Sequence, residues 1–264
     1  MMYALFLLFT FAVLAFAIYH MQYFMMFSPT YYRGEELGGD FEILNIIADD
    51  GTKLEGVVYE PKHMYRKLPD IDSTILFFGG RSQDSVGLIQ KLSTLYPDIR
   101  IIAFNYRSYG KSDGVLNEKN MLEDGLKIAE IVERNYGHFY ILGFSLGSGV
   151  ASYVASKVYV KGVFLISPFE SIALLIKRKY GYFIPWLLRY KFEKNKFVKN
   201  INAKTYVFAS KHDEAIHVHN TRGLKDSVKN LTLYKELEDL SHKELLWDKK
   251  IVDEINYIIH EDIK

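Results

Sequence analysis

The stretch YILGFSLGSGVASYVASK, residues 140–157, decides the fold. Phe139–Leu142 is an apolar run of strand character. It leads into Gly143-Phe144-Ser145-Leu146-Gly147. Beyond it, Ser148, Gly149, Ala151 and Ala155 recur at helical spacing, which predicts a helix over Leu146–Lys157. A chain that passes from strand to helix this quickly must turn sharply. The residues two before and two after Ser145 must then be small, and the serine hydroxyl projects above the sheet. Backbone N–H groups at the helix start, that of Leu146 among them, face any negative charge developing there. Gly-x-Ser-x-Gly alone is a weak signal, because any Gly/Ser turn has that composition. The strand before it and the small-residue helix after it supply the specificity.

The rest of the chain repeats the strand–helix alternation. Phe41–Ile47 and Lys53–Tyr59 flank Asp49-Asp50-Gly51, a hairpin signal. Continuous apolar runs follow at Thr74–Phe78, Arg100–Asn105, Tyr140–Leu142, Gly162–Ile166, Thr205–Ala209 and Leu231–Tyr234. Runs that are apolar on both faces mark buried parallel strands. Helices are predicted at Ser85–Leu95, Glu118–Tyr136, Leu146–Lys157, His217–Val228 and Lys243–Ile259. The alternation predicts an α/β fold, a mostly parallel sheet with helices on both faces. Residues 169–200 break the pattern. They are aromatic and basic, with no clear strand, and read as a helical insertion over the C-terminal edge of the sheet, where open α/β folds bind ligands.

The 264 residues are 49% hydrophobic and 25% charged, an ordinary globular composition. A net charge of +1 gives no reason to expect nucleic acid. The absence of cysteine excludes disulfides, thiolate chemistry and Cys-based zinc sites. Residues 1–27 differ in kind. They hold no Lys, Arg, Asp or Glu, and Met1–Tyr19 is apolar but for Thr10, long enough to cross about 30 Å of hydrocarbon. Ala15-Phe16-Ala17 offers a small-x-small cleavage site, the signal-peptide alternative. The basic n-region is missing, and the apolar run continues past that site. The expected organisation is a transmembrane anchor (1–27), a linker with Gly34, Gly38 and Gly39 (28–40), and one domain (41–264) carrying the insertion at about 169–200. Arg33 favours the cytoplasmic side for that domain.

A serine hydroxyl needs a base to attack a carbonyl near neutral pH. Of eight histidines, His20 lies in the apolar run, His63 in an early loop, His138 before the 140–142 strand, and His260 near the end. His212, His217 and His219 cluster after the 205–209 strand. They do not read as a metal site, since His217 and His219 diverge on a helix and no second ligand group is evident. His242, in LEDLSHKEL, follows the last strand at the sheet edge from which Ser145 emerges, and is the expected general base. Asp213, in a loop at the same edge, is the expected orienting acid. Glu214 is its rival, and Asp239 is too near His242 in sequence. The order Ser145, Asp213, His242 fits a nucleophile elbow served by a later acid and base.

These residues and three further stretches resemble the α/β-hydrolases, most closely the Bem46-like branch with an N-terminal membrane anchor. ILFFGGRSQD is similar to the strand-turn that reads His-Gly-Asn in that family and supplies the second oxyanion N–H, here that of Arg81. FNYRSYGKSDG (Phe104–Gly114) resembles its Asp/Asn-Tyr-Arg-Gly-Tyr-Gly-x-Ser-x-Gly signature. ISPFES and LRYKF…IN resemble the flanks of its short cap. Gly79 replaces the usual His, Arg81 an Asn and Ser108 a Gly, and Arg81 puts a charge at the mouth of the site. The resemblance spans about residues 40–260. It implies an α/β-hydrolase fold and a serine hydrolase with Ser145, His242 and Asp213 as triad. Backbone N–H groups of Leu146 and Arg81 form the oxyanion hole, with no cofactor and no metal. Acyl esters or thioesters are the expected substrates. The insertion mixes Lys177, Arg178, Lys179, Arg189, Lys191, Lys194 and Lys196 with Ile184, Trp186, Leu187, Leu188 and Phe192. That mixture suits an anionic membrane surface and extends the expectation to acyl lipids or lipidated proteins. The rival class is a catalytically silent, membrane-tethered scaffold.

Overall fold

A computed structural model describes residues 2–31, 40–61, 73–181 and 188–262. Arg33, the linker glycines, His63, Ile184, Trp186 and Leu187 lie outside them. Helix α1 (Met2–Met26) has no buried residue and is long and apolar enough to cross a bilayer. Strands β1 (Phe41–Ile47) and β2 (Lys53–Tyr59) form the expected hairpin. The remaining strands are β3 (Thr74–Phe78), β4 (Arg100–Phe104), β5 (Tyr140–Phe144), β6 (Gly162–Ile166), β7 (Lys204–Ser210) and β8 (Leu231–Leu237). They complete one eight-stranded sheet in the order β1-β2-β4-β3-β5-β6-β7-β8. The β1–β2 and β2–β4 pairs are antiparallel and every other pair is parallel, so β2 alone runs against the rest of the sheet.

Every residue of β3, β5 and β6 is buried, because helices cover both faces. Helices α2 (Ile89–Leu95) and α8 (Lys249–Glu261) cover one face, through Ile89, Leu92, Ile251, Ile255 and Ile259. Helices α3 (Glu118–Tyr136), α4 (Gly147–Ala155) and α7 (Val218–Lys225) cover the other. Met121, Ile128, Ala129 and Val132 give α3 its apolar stripe, and Asn117 with Asn120 closes a capping box at its start. Gly125 brings α3 against α4: a Cβ there would collide with the Val150 side chain.

Two predicted helices start late, for local reasons. The first begins at Ile89 rather than Ser85. The Asn105 side chain accepts from the Ser85 N–H at 2.7 Å, and Asp84 accepts from the Gly87 N–H at 3.0 Å, which holds residues 84–88 as turns. The last predicted helix splits into a 3-10 turn at Leu245–Trp247 and then α8, capped by Asp248. His242 therefore sits in an irregular loop. The insertion contributes α5 (Ile172–Tyr180) and α6 (Lys194–Val198).

Residues 27–30 are fastened to the domain. Phe27 is 1% exposed and packs edge-on to Tyr190, with ring centroids 4.9 Å apart. The Ser28 N–H donates to the Tyr109 hydroxyl at 3.0 Å, and the Gly110 N–H donates to the Thr30 carbonyl at 3.0 Å.

Candidate active site

Ser145 follows the last residue of β5. Its N–H donates to the Ile166 carbonyl of β6 at 2.9 Å, and its φ of 52° is left-handed. That conformation is uncommon for a residue with a Cβ and turns the chain abruptly into α4. The flanking glycines are sterically required. A Cβ on Gly143 would stand 2.7 Å from Ser148 Cα, and one on Gly147 would fall on the carbonyls of Phe78 and Gly79.

The structure brings Ser145, His242 and Asp213 together. His242 Nε2 lies 2.9 Å from Ser145 Oγ, and Nδ1 lies 2.8 Å from Asp213 Oδ2. The imidazole tautomer that serves both contacts carries its proton on Nδ1 and accepts the serine proton at Nε2. Asp213 is 4% exposed. Burial alone would raise its carboxyl pKa. Opposing this, His242, the Ile216 N–H and the Ser167 hydroxyl favour the charged form and hold the pKa below the ordinary carboxylate value. The Phe144 ring packs on the imidazole, with centroids 5.0 Å apart.

Glu214 holds the backbone instead: its carboxylate accepts from the His242 N–H at 2.9 Å. Asp239 is exposed and faces His212. His217 stacks on His219, and His138 pairs with Glu133. Ser167 joins this cluster and was not among the residues read from the sequence. Its hydroxyl donates to Asp213 Oδ2 at 2.5 Å and lies 3.2 Å from His242 Nδ1. The available signal was Ser167-Pro168 at a strand end, one sheet position from Ser145. Ser167 shares Ser145's local geometry, with a φ of 49° and its N–H on the next strand's Phe208 carbonyl.

The turn after β3 lies against Gly147 and Phe144, the residues flanking the serine turn. Gln83 Oε1 accepts from the Gly80 N–H at 2.6 Å, so that amide is engaged. Among the described residues the amides of Arg81 and Leu146 have no acceptor. Space at Gly79 is taken: a Cβ there would stand 2.6 Å from Ser85 Oγ. The NYRSYG loop supports this turn. Tyr106 donates to the Gly79 carbonyl at 2.9 Å, and the Tyr109 hydroxyl donates to the Arg81 carbonyl. Arg107 is forked between Asp124 and Asp50, fixing the β1–β2 turn to α3. Ser108 has a φ of 66°, the reason a glycine suits that position.

The Arg81 guanidinium donates to the Met25 carbonyl at the end of α1, at 2.8 Å, where a cation complements the helix dipole. One expectation about surface charge is corrected. The insertion is not a uniformly basic, aromatic surface. Phe192 and Lys194 are both 0% exposed, Arg178 bonds Asn220 and Glu170, and Arg189 lies against Tyr19 and Tyr190.

The strand order and the serine turn after β5 define the α/β-hydrolase fold. Solved structures agree with it. The esterase Pf2001 of Pyrococcus furiosus superposes with a TM-score of 0.66 at 16% identity, over 89% of this chain and 98% of that one. XC6422 of Xanthomonas campestris, an a/b serine hydrolase without lid, gives 0.59 at 16% identity, over 86% and 95%. Est1E of Butyrivibrio proteoclasticus, with bound ferulic acid, gives 0.64 at 16% identity, over 83% and 99%. No protein-family model matches the chain. Protein R595 of Acanthamoeba polyphaga mimivirus is 25% identical over 191 residues, 58% of this chain and 65% of that protein. The lysophosphatidylserine lipase ABHD12 of Danio rerio is 33% identical over 94 residues, 33% of this chain and 24% of that protein. The chain thus spans less than two thirds of the length of the curated relatives it matches.

Proposed function

We propose that the protein is a membrane-anchored serine hydrolase of the Bem46-like branch, cleaving an acyl ester or thioester through an acyl-enzyme. The observation that carries this reading is the continuous line of contacts Asp213–His242–Ser145, with the amides of Leu146 and Arg81 left without an acceptor among the described residues. Ser145 Oγ attacks the carbonyl carbon and gives its proton to His242 Nε2, while Asp213 stabilises the imidazolium. The oxygen that takes up negative charge is met by the N–H groups of Leu146 and Arg81. Collapse breaks the bond to the alkoxide or thiolate, which receives the proton from His242. Water then gives a proton to His242, attacks the acyl-serine and releases the acid with Ser145 restored.

The proposed division is an anchor at residues 1–27, a linker at 28–40 and a hydrolase domain at 41–264 with a cap at about 169–200. The hydrogen bonds of Ser28 and Thr30 make the start of that linker a fixed strap. A 25-residue apolar helix ending against the cap supports a site held at the bilayer, and Arg33 supports the cytoplasmic side. One matched relative is by name a lysophospholipid lipase, which supports an acyl lipid or lipidated protein as substrate. Turnover of a p-nitrophenyl ester by the full chain in detergent tests the reading. Ser145→Ala removes essentially all activity, and a variant that keeps the wild-type rate contradicts it.

A further inference from the structure

Lys194 opens α6, yet its side chain runs beneath the serine turn instead of out to solvent. Its Nζ donates to the Ser145 carbonyl at 3.0 Å and to the Ser148 hydroxyl at 2.7 Å, and stands 3.2 Å from the centroid of the Phe169 ring. An ammonium has three N–H donors, and a carbonyl, a hydroxyl oxygen and an aromatic face are three partners for them. Among the described residues no charged group faces the amine. Its neighbours are Ser145, Ser148, Gly149, Phe169 and Phe192. Burial pushes the ammonium pKa well below the ordinary lysine value.

Burying an amine without a counter-charge is costly, and the surroundings are built to impose it. Phe192 holds a left-handed φ of 40°. The N–H groups of Lys191 and Phe192 donate to the Glu118 carboxylate at 2.6 and 2.7 Å, fixing the turn that directs Lys194 inward. Gly149 leaves the room: a Cβ there would stand 2.8 Å from Lys194 Cε.

The Ser145 carbonyl and the Leu146 N–H belong to one planar trans peptide, so they point in opposite directions. A donor that holds the carbonyl from behind aims the N–H into the site. It also polarises the peptide, which strengthens the N–H as a donor. We propose that Lys194 is a positioning residue, holding the Ser145–Leu146 peptide so that the Leu146 N–H meets the oxyanion. This role rests on Ser145 being the nucleophile.

The test uses the full chain in detergent, a soluble p-nitrophenyl ester and a fluorophosphonate probe, with Lys194→Met as the first variant. Its kcat and labelling rate fall about 10- to 100-fold while KM stays within twofold. Its Tm is unchanged or higher, because an uncompensated buried amine has been removed; a merely structural lysine would lower Tm. Titration of Lys194, below the ordinary lysine range, adds a limb to the wild-type pH–rate profile that Lys194→Met lacks. Gly149→Ala keeps the lysine but displaces its end, and lowers kcat in the same direction. It carries the test if Lys194→Met does not fold. A wild-type kcat in the folded variant, or a pH–rate profile identical to wild type, overturns the role. Wild-type protein that takes no label overturns both this role and the serine-hydrolase reading. Labelled wild type with equally fast Lys194→Met overturns this role alone.

Discussion

In the proposed mechanism Asp213 and Ser167 divide the work of orienting His242, and they predict unequal losses. Asp213 supplies the charge that stabilises the imidazolium and fixes its tautomer, so Asp213→Asn lowers kcat by about 10³- to 10⁴-fold. Ser167→Ala removes one hydroxyl donor from a carboxylate still held by the Ala215 and Ile216 amides. It costs about 10-fold, about 1.4 kcal/mol. Steady-state kinetics on one ester checks the order, and equal losses for the two contradict it. Stability follows the same carboxyl. Its folded pKa is depressed, so its contribution is present above the unfolded value of about 4 and is lost as pH falls through the folded value. Asp213→Asn flattens that acid loss. The cluster was legible because Ser145, Asp213 and His242 each follow a strand end on one sheet edge in the right chain order. Ser167 was not, because a hydroxyl that acts on an acid from a neighbouring strand leaves no spacing pattern in the chain.

Helix α1 is more than a tether. Gln22 accepts from the Arg189 N–H at 2.8 Å, the Met25 carbonyl accepts from Arg81, and Phe27 is part of the core. Tyr109 joins these contacts to the turn after β3: its hydroxyl accepts from Ser28 and donates to Arg81. Removing residues 1–21 should leave Tm and ester turnover near wild type, because every one of those contacts remains. Removing residues 1–27 deletes Phe27 and the Arg81 acceptor. Loss of a buried Phe alone costs about 3 kcal/mol or more. Thermal unfolding of the two truncations checks this, and equal Tm values contradict it. The α/β alternation was legible here, since β3, β5 and β6 are apolar on both faces. The docking of α1 was not. Its residues read as uniformly apolar, and composition does not separate Phe27, which packs on the cap, from Phe24, which is exposed.

For the molecule as a whole, the fold brings three remote strand ends to one edge. Basic residues of the insertion looked alike in sequence, yet they divide between the exposed Lys177, the ion-paired Arg178 and the buried Lys194. Lys194 differs because Gly149, a residue of another element, opens space for it, and that is a tertiary fact. Helix α1, Ser28 and the tyrosine loop converge on Arg81 in the turn after β3, and the buried lysine ends on the Ser145 carbonyl. Labelling of the membrane-embedded full chain by a fluorophosphonate, with the modified residue mapped by mass spectrometry, tests that convergence most directly. A single adduct on Ser145, abolished in Ser145→Ala and strongly slowed in His242→Ala, is the predicted result. Folded protein that takes no label, or takes it at another residue, would contradict a hydrolase built on Ser145.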